Sequence, residues 1–179
     1  MTPFEYEFSR PIRVEQVPTG GMEMDLEAKP AERAALAERF GLVSIDSLKA
    51  HVRLKAIAGG AIIRVDGRLS ASVVQTCVVS LEPLPAEVED GFSLTFGGAE
   101  PDQVGAEIEL SIDDEDPPDP IENGSIDVGE VVAEHLALAL DPFPRKPGIA
   151  FEGGDEPTPE EEKRPSPFAA LAQLRKNKG

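Results

Sequence analysis

The sequence predicts an α+β domain: a mostly antiparallel β-sheet around a long central hairpin, with one small and one major helix and a disordered C-terminal tail. Three observations carry this. Residues 47–77 alternate apolar and polar side chains on both sides of a glycine pair. Residues 127–140 place an apolar face at helical spacing between a capping signal and a proline. Beyond them proline and glycine accumulate, with seven of the seventeen prolines between Pro142 and Pro167.

The hairpin sets the frame. Leu48, Ala50, Val52, Leu54 and Ala56 alternate with Lys49, His51, Arg53 and Lys55, the period-2 pattern of a half-buried strand. Gly59-Gly60 supplies the positive φ of a tight two-residue turn. Ile63, Val65, Gly67, Leu69, Ala71 and Val73 then alternate with Arg64, Asp66, Arg68, Ser70 and Ser72. With the glycines at the centre of the turn, Leu54 faces Val65, Arg53 faces Asp66 and Lys55 faces Arg64. A one-residue slip would turn Arg64 and Arg68 onto the apolar side, so the register is well specified.

The remaining elements follow in chain order. Phe4, Tyr6 and Phe8, then Ile12 and Val14 after Pro11, predict a first strand at a sheet edge, because proline is confined to edges. Met22, Met24, Leu26 and Ala28 alternate with Glu23, Asp25 and Glu27 as a second strand. Pro30 suits the first turn of a helix over 31–40, with Gly41 as its C-terminal cap. After the hairpin, residues 81–85 read as a stiff connector. Residues 86–96 read as one strand broken near Asp90-Gly91, or as two short ones. Ile108, Leu110 and Ile112 predict a strand with an acidic outer face. The run 113–120 is too rich in Asp and Pro for regular structure. In the major helix, 127–140, Asp127 caps the N-terminus, Glu130 reaches back in a capping box, and Ile126 and Val131 sit at staple positions. A short amphipathic helix can form at the tail around Phe168, Leu171 and Leu174. These elements make one domain over 1–147 and a flexible tail over 148–179.

Composition narrows the function. The 179 residues carry a net charge of −17, unevenly placed. Residues 1–68 are balanced, whereas residues 69–144 hold eighteen Asp/Glu and no Lys or Arg. Such a field repels nucleic acid from one side and attracts basic partners to it; it also serves simply as a solvated surface. No stretch approaches the roughly 20 apolar residues of a membrane span. The N-terminus carries acids and no apolar run, which predicts no signal peptide and a cytoplasmic protein.

The chemistry reads as non-enzymatic. Nucleophilic catalysis needs a nucleophile, a base and an orienting group together, and the chain offers only His51, His135 and the single cysteine, Cys77. One cysteine excludes an internal disulfide framework and a cysteine-rich zinc site. Cys77 reads as a small buried hydrophobe. The acidic run lacks the spaced ligands and central glycine of a calcium loop, and the glycine pairs lack the Lys-Ser/Thr of a phosphate loop. No metal and no cofactor are expected. What remains is the polar face of the hairpin, where Lys49, Arg53, Lys55, Arg64 and Arg68 project together with His51 among them and Asp66 as counter-charge. With strands about 4.8 Å apart, these groups form a compact patch that can follow a phosphate backbone, or an ordinary solvated sheet face.

Two segments carry a resemblance. At Thr76-Cys77-Val78-Val79-Ser80-Leu81-Glu82-Pro83, and at Ile126-Asp127-Val128-Gly129-Glu130-Val131-Val132-Ala133-Glu134-His135-Leu136-Ala137-Leu138, the chain resembles the YceD family of large ribosomal RNA subunit accumulation proteins. The similarity is best over about 65–147. Residues 141–148 and 167–171 look like its alphaproteobacterial branch. The resemblance implies a cytoplasmic, non-enzymatic role in synthesis, processing or stability of 23S rRNA, with large-subunit rRNA or a pre-ribosomal particle as partner and no membrane. Cys77, Leu81, Glu82, Pro83, Asp127, Glu130 and Glu134 are the matched positions, in structural roles. Many members carry a second cysteine three after the first and a further pair beyond the final helix, which suggests a metal site. Here Ser80 holds the first of those places and no cysteine follows the helix, so the metal does not carry over. The rival reading is an acidic binding module or chaperone for a basic ribosomal protein.

Overall fold

A computed structural model describes residues 6–97, 117–121 and 123–149. The chain divides into two units, Met1–Lys146 and Pro147–Gly179, and every element named below belongs to the first. The expected strand at 108–112, most of the acidic run and the expected tail helix lie outside the described residues.

The architecture is α+β. Strands β2 (Met22–Glu27), β3 (Ser44–Ile57), β4 (Ile62–Thr76) and β5 (Pro83–Gly97) form one antiparallel sheet in the order β2-β3-β4-β5. The β3–β4 register is the expected one, with Leu54 opposite Val65, Arg53 opposite Asp66 and Lys55 opposite Arg64. The turn differs. Four residues, 58–61, close it, with Ala61 N–H donating to the Ala58 carbonyl, positive φ at Ala58, Gly59 and Gly60, and Ile57 with Ile62 as the last pair. A bulge between Ile45 and Ser47 then shifts the register, so that Ile45 pairs with Val73, and both stay buried. A bulge absorbs one extra residue in this way without turning the following side chains to the wrong face.

Strand β5 is a single fifteen-residue strand. It absorbs both the connector expected at Pro83 and Pro85 and the break expected at Gly91. The prolines are tolerated because β5 ends the sheet and both occupy positions whose N–H would point away from β4. Thr95 and Gly97, in step with them, turn their backbone groups outward to Asp119, with Asp119 N–H donating to Thr95 and Gly97 N–H to Asp119.

The N-terminal expectation needs correction. Residues 6–10 form no strand; β1 is only Pro11–Arg13, and it pairs with β6 (Ser125–Asp127) in a separate two-stranded ribbon. Phe8 is instead a fully buried core residue. The alternation there reflects one inward ring on an irregular strap, which period alone cannot distinguish from a strand.

Two helices cover one face of the large sheet. Helix α1 (Pro30–Phe40) ends at Gly41 in the left-handed conformation and packs on β3. Helix α2 (Val128–Ala139) packs on β4, β5 and β1 and buries Val128, Val132, Ala133 and Leu136 completely. The strap crosses its first turn so closely that a Cβ on Gly129 would lie 2.0 Å from the Phe8 carbonyl oxygen. No helix among the described residues is long and apolar enough to cross a membrane.

Candidate nucleic-acid interface

No described element covers the opposite face of the sheet. Because paired residues of adjacent strands share a side, the register places Lys49, His51, Arg53 and Lys55 of β3 beside Ser70, Arg68, Asp66 and Arg64 of β4. All six basic candidates are exposed. The structure therefore assembles them on one surface, as the alternation predicts.

The strand order adds what alternation could not. On one flank β2 sets Glu23, Asp25 and Glu27 opposite Arg53, His51 and Lys49. On the other, β5 sets Glu89 and Glu87 opposite Ser70 and Ser72. Six carboxylates thus share the face with five Lys/Arg side chains, and Asp66 is not the lone counter-charge. The face is a basic double row between acidic margins. Glu23, Asp25 and Glu27 were legible as outward residues of their own strand, but sequence gave no sign of which strand they would flank.

Pairing divides the basic groups. Lys49 lies 3.8 Å from Glu27 and Arg53 3.7 Å from Glu23. His51 meets Asp25 at 2.8 Å through Nδ1. Arg64 donates to Asp66 and to the Ser93 hydroxyl, both at 3.1 Å, and Ser93 donates to Asp66 at 2.7 Å. Burial raises the Asp66 pKa, but the Ser93 hydroxyl, Arg64 and Arg53 together hold it below its ordinary 3.8. Lys55 and Arg68 form no ion pair among the described residues. Between His51, Arg68, Ser70 and the flanking acids a trough of about 860 Å³ crosses the face. Gly91, opposite Arg68, leaves it open on the β5 side. Exposed pairs of this kind contribute at most about 1 kcal/mol each and exchange readily for another partner.

The matched family positions lie elsewhere. Cys77 is fully buried at the end of β4. Its sulfur accepts the N–H of Ser80 at 3.5 Å and of Lys146 at 3.4 Å. The Ser80 hydroxyl, then the Ser80 and Lys146 N–H groups, draw the thiol down from 9.0 to about 6 against the effect of burial. Leu81 turns the chain at φ 59°, Glu82 binds Lys146 Nζ at 2.6 Å, and Pro83 opens β5. This loop clasps the segment after α2, where Val78 N–H also donates to the Pro144 carbonyl. One thiol, a serine and a lysine ammonium do not fit a metal, and the described residues hold no cluster of three or more His, Cys, Asp or Glu side chains suited to one.

In α2, Asp127 caps the helix as expected, accepting from the N–H groups of Gly129 and Glu130. Glu130 does not complete a capping box. Its carboxylate, which is buried, takes both guanidinium nitrogens of Arg39 at 2.7 and 3.0 Å, since a bidentate charged pair is stronger than a backbone cap. Glu134 is pushed above 4.5 by desolvation and then by the charge of Glu130. His135 stacks on Phe92, with ring centroids 4.4 Å apart, and meets Asp90 at 3.3 Å. The two histidines are thus on opposite faces of the sheet.

No curated protein and no solved structure matches the chain. A family does: residues 65–175 match the one described as Large ribosomal RNA subunit accumulation protein YceD. The match takes in Arg68, the Cys77 loop, β5 and α2, while Lys49, His51, Arg53, Lys55 and Arg64 precede it. It spans well over half of the 179 residues, and this chain belongs to the YceD family of large ribosomal RNA subunit accumulation proteins.

Proposed function

We propose that this protein supports accumulation of 23S rRNA in the cytoplasm by binding the rRNA or a pre-ribosomal particle directly, without catalysing a reaction. Family membership supports the rRNA; the open face supports direct contact. The observation that carries the contact is the double row on β3 and β4, in which Lys55 and Arg68 are exposed without an acidic partner among the described residues. Lysine and arginine there neutralise phosphates and release their counterions. A binding role also accords with an enclosed Cys77 and with His51 and His135 held apart by the sheet.

The acidic margins favour a second reading, a module that holds a basic ribosomal protein. Pull-down from lysate with and without ribonuclease separates the two. Under the RNA reading, ribosomal proteins leave the bait when RNA is digested, and binding to large-subunit rRNA fragments weakens steeply between about 50 and 200 mM salt. Retention of ribosomal proteins after digestion, with salt-insensitive RNA binding, would establish the acidic module instead.

A further inference from the structure

We infer that the open face takes the phosphate backbone of base-paired RNA, and takes it at the hairpin end of the sheet. The inference rests on the RNA reading above and specifies its ligand.

The first argument is a charge gradient along the strands. Nearest the turn the outward row is Ile57, Ile62 and Gly97, and the next holds Lys55 and Arg64, with Thr95 on the β5 side and Gly21 beside Lys55. This row has no carboxylate. At the far end, Glu27, Glu87 and Glu89 outnumber Lys49. In between, Glu23 offsets Arg53 and Asp66 reaches back to Arg64, so that Lys55 on the turn side and Arg68 in the middle are the cations of this face with no ion pair among the described residues. At about 6.6 Å for each pair of residues, Lys49 and Lys55 stand roughly 20 Å apart on one strand. That is well beyond a Debye length of about 8 Å at physiological salt. The described side chains at the two ends therefore present separate potentials to an approaching polyanion, positive near the turn and negative opposite it.

The second argument is the absence of rings. Among the described residues no outward position of β2 to β5 is Phe, Tyr or Trp; Phe92 and Phe96 of β5 share the core side with Gly67 and Ile63. Proteins that read single strands stack unpaired bases on aromatic platforms. A splayed base finds none here, whereas a continuous backbone finds cations. In a duplex the bases stay stacked on each other, so the ligand this face suits is double-helical and its sequence is unread.

Lys55→Gln and Lys49→Gln make a matched test, being the same residue type on the same strand and face at opposite ends. The full chain and both variants are titrated over a salt series with a mixed-sequence RNA duplex of about 20 base pairs, a length exceeding the roughly 16 that double-strand binders span, and with a single strand of equal length. The duplex is expected to bind more tightly than the single strand. Lys55→Gln should flatten the dependence of log affinity on log salt by about 0.9, the value of one phosphate contact, and Lys49→Gln should flatten it measurably less. Glu87→Gln with Glu89→Gln should leave the slope as it is and tighten binding at low salt. A tighter single strand, an unchanged slope in Lys55→Gln, or equal flattening in Lys49→Gln overturns the inference and leaves the RNA reading standing. Binding of neither RNA overturns both.

Discussion

Asp127 joins the first turn of α2 to the N-terminal strap with one carboxylate. Its Oδ1 accepts from Gly129 and Glu130 N–H at 3.0 and 3.2 Å and from Arg10 N–H at 2.6 Å, while Oδ2 accepts the Ser9 hydroxyl. Asp127→Ala should therefore cost about 2 kcal/mol, the upper end for a lost cap, measured as a shift in urea midpoint with the slope unchanged. The cap was legible three residues ahead of Glu130; the strap was not, because Ser9 and Arg10 lie more than a hundred positions away. Glu134 makes a second prediction. Its folded pKa is raised above 4.5, so folding favours its protonated form. That contribution is complete below 4.5 and is lost as pH rises through the folded value. Glu134→Gln should then gain stability over wild type as pH is raised to neutral and show no gain in acid. Thermal unfolding at two pH values checks this, and an equal gain at both would refute a titration origin.

At the scale of elements, α2 is the cover the sheet requires. Leu136 is fully buried beneath it, and Leu136→Ala should destabilise by about 2 to 5 kcal/mol in denaturant unfolding, the usual cost of a truncated core leucine. The helix was readable because capping, period and stop signal agreed. Strand β5 was harder. Pro83, Pro85 and Gly91 are breakers by local rule, and only the tertiary fact that β5 is an edge makes all three compatible with a strand. The N-terminal segment failed the other way: Phe8 supplied an apolar position at strand spacing, yet its partner surface is α2 and the core, not a neighbouring strand.

For the whole molecule, fold class and hairpin register were legible because a period of 2 with a glycine turn leaves one consistent pairing. Strand order was not, since alternation says which side chains point outward but not beside what. The candidate site inherits that split. The six basic positions could be read from β3 and β4 alone, whereas the acids that confine them arrive with β2 and β5. The sheet also separates the two histidines, His51 on the open face and His135 stacked under α2 on Phe92. In proton NMR this gives a two-channel reporter built from native residues, with the His135 ring protons displaced by the ring current of Phe92. Adding duplex RNA should move the His51 resonances and leave those of His135 in place; joint movement would mean that a ligand on one side of the sheet loosens the helix on the other.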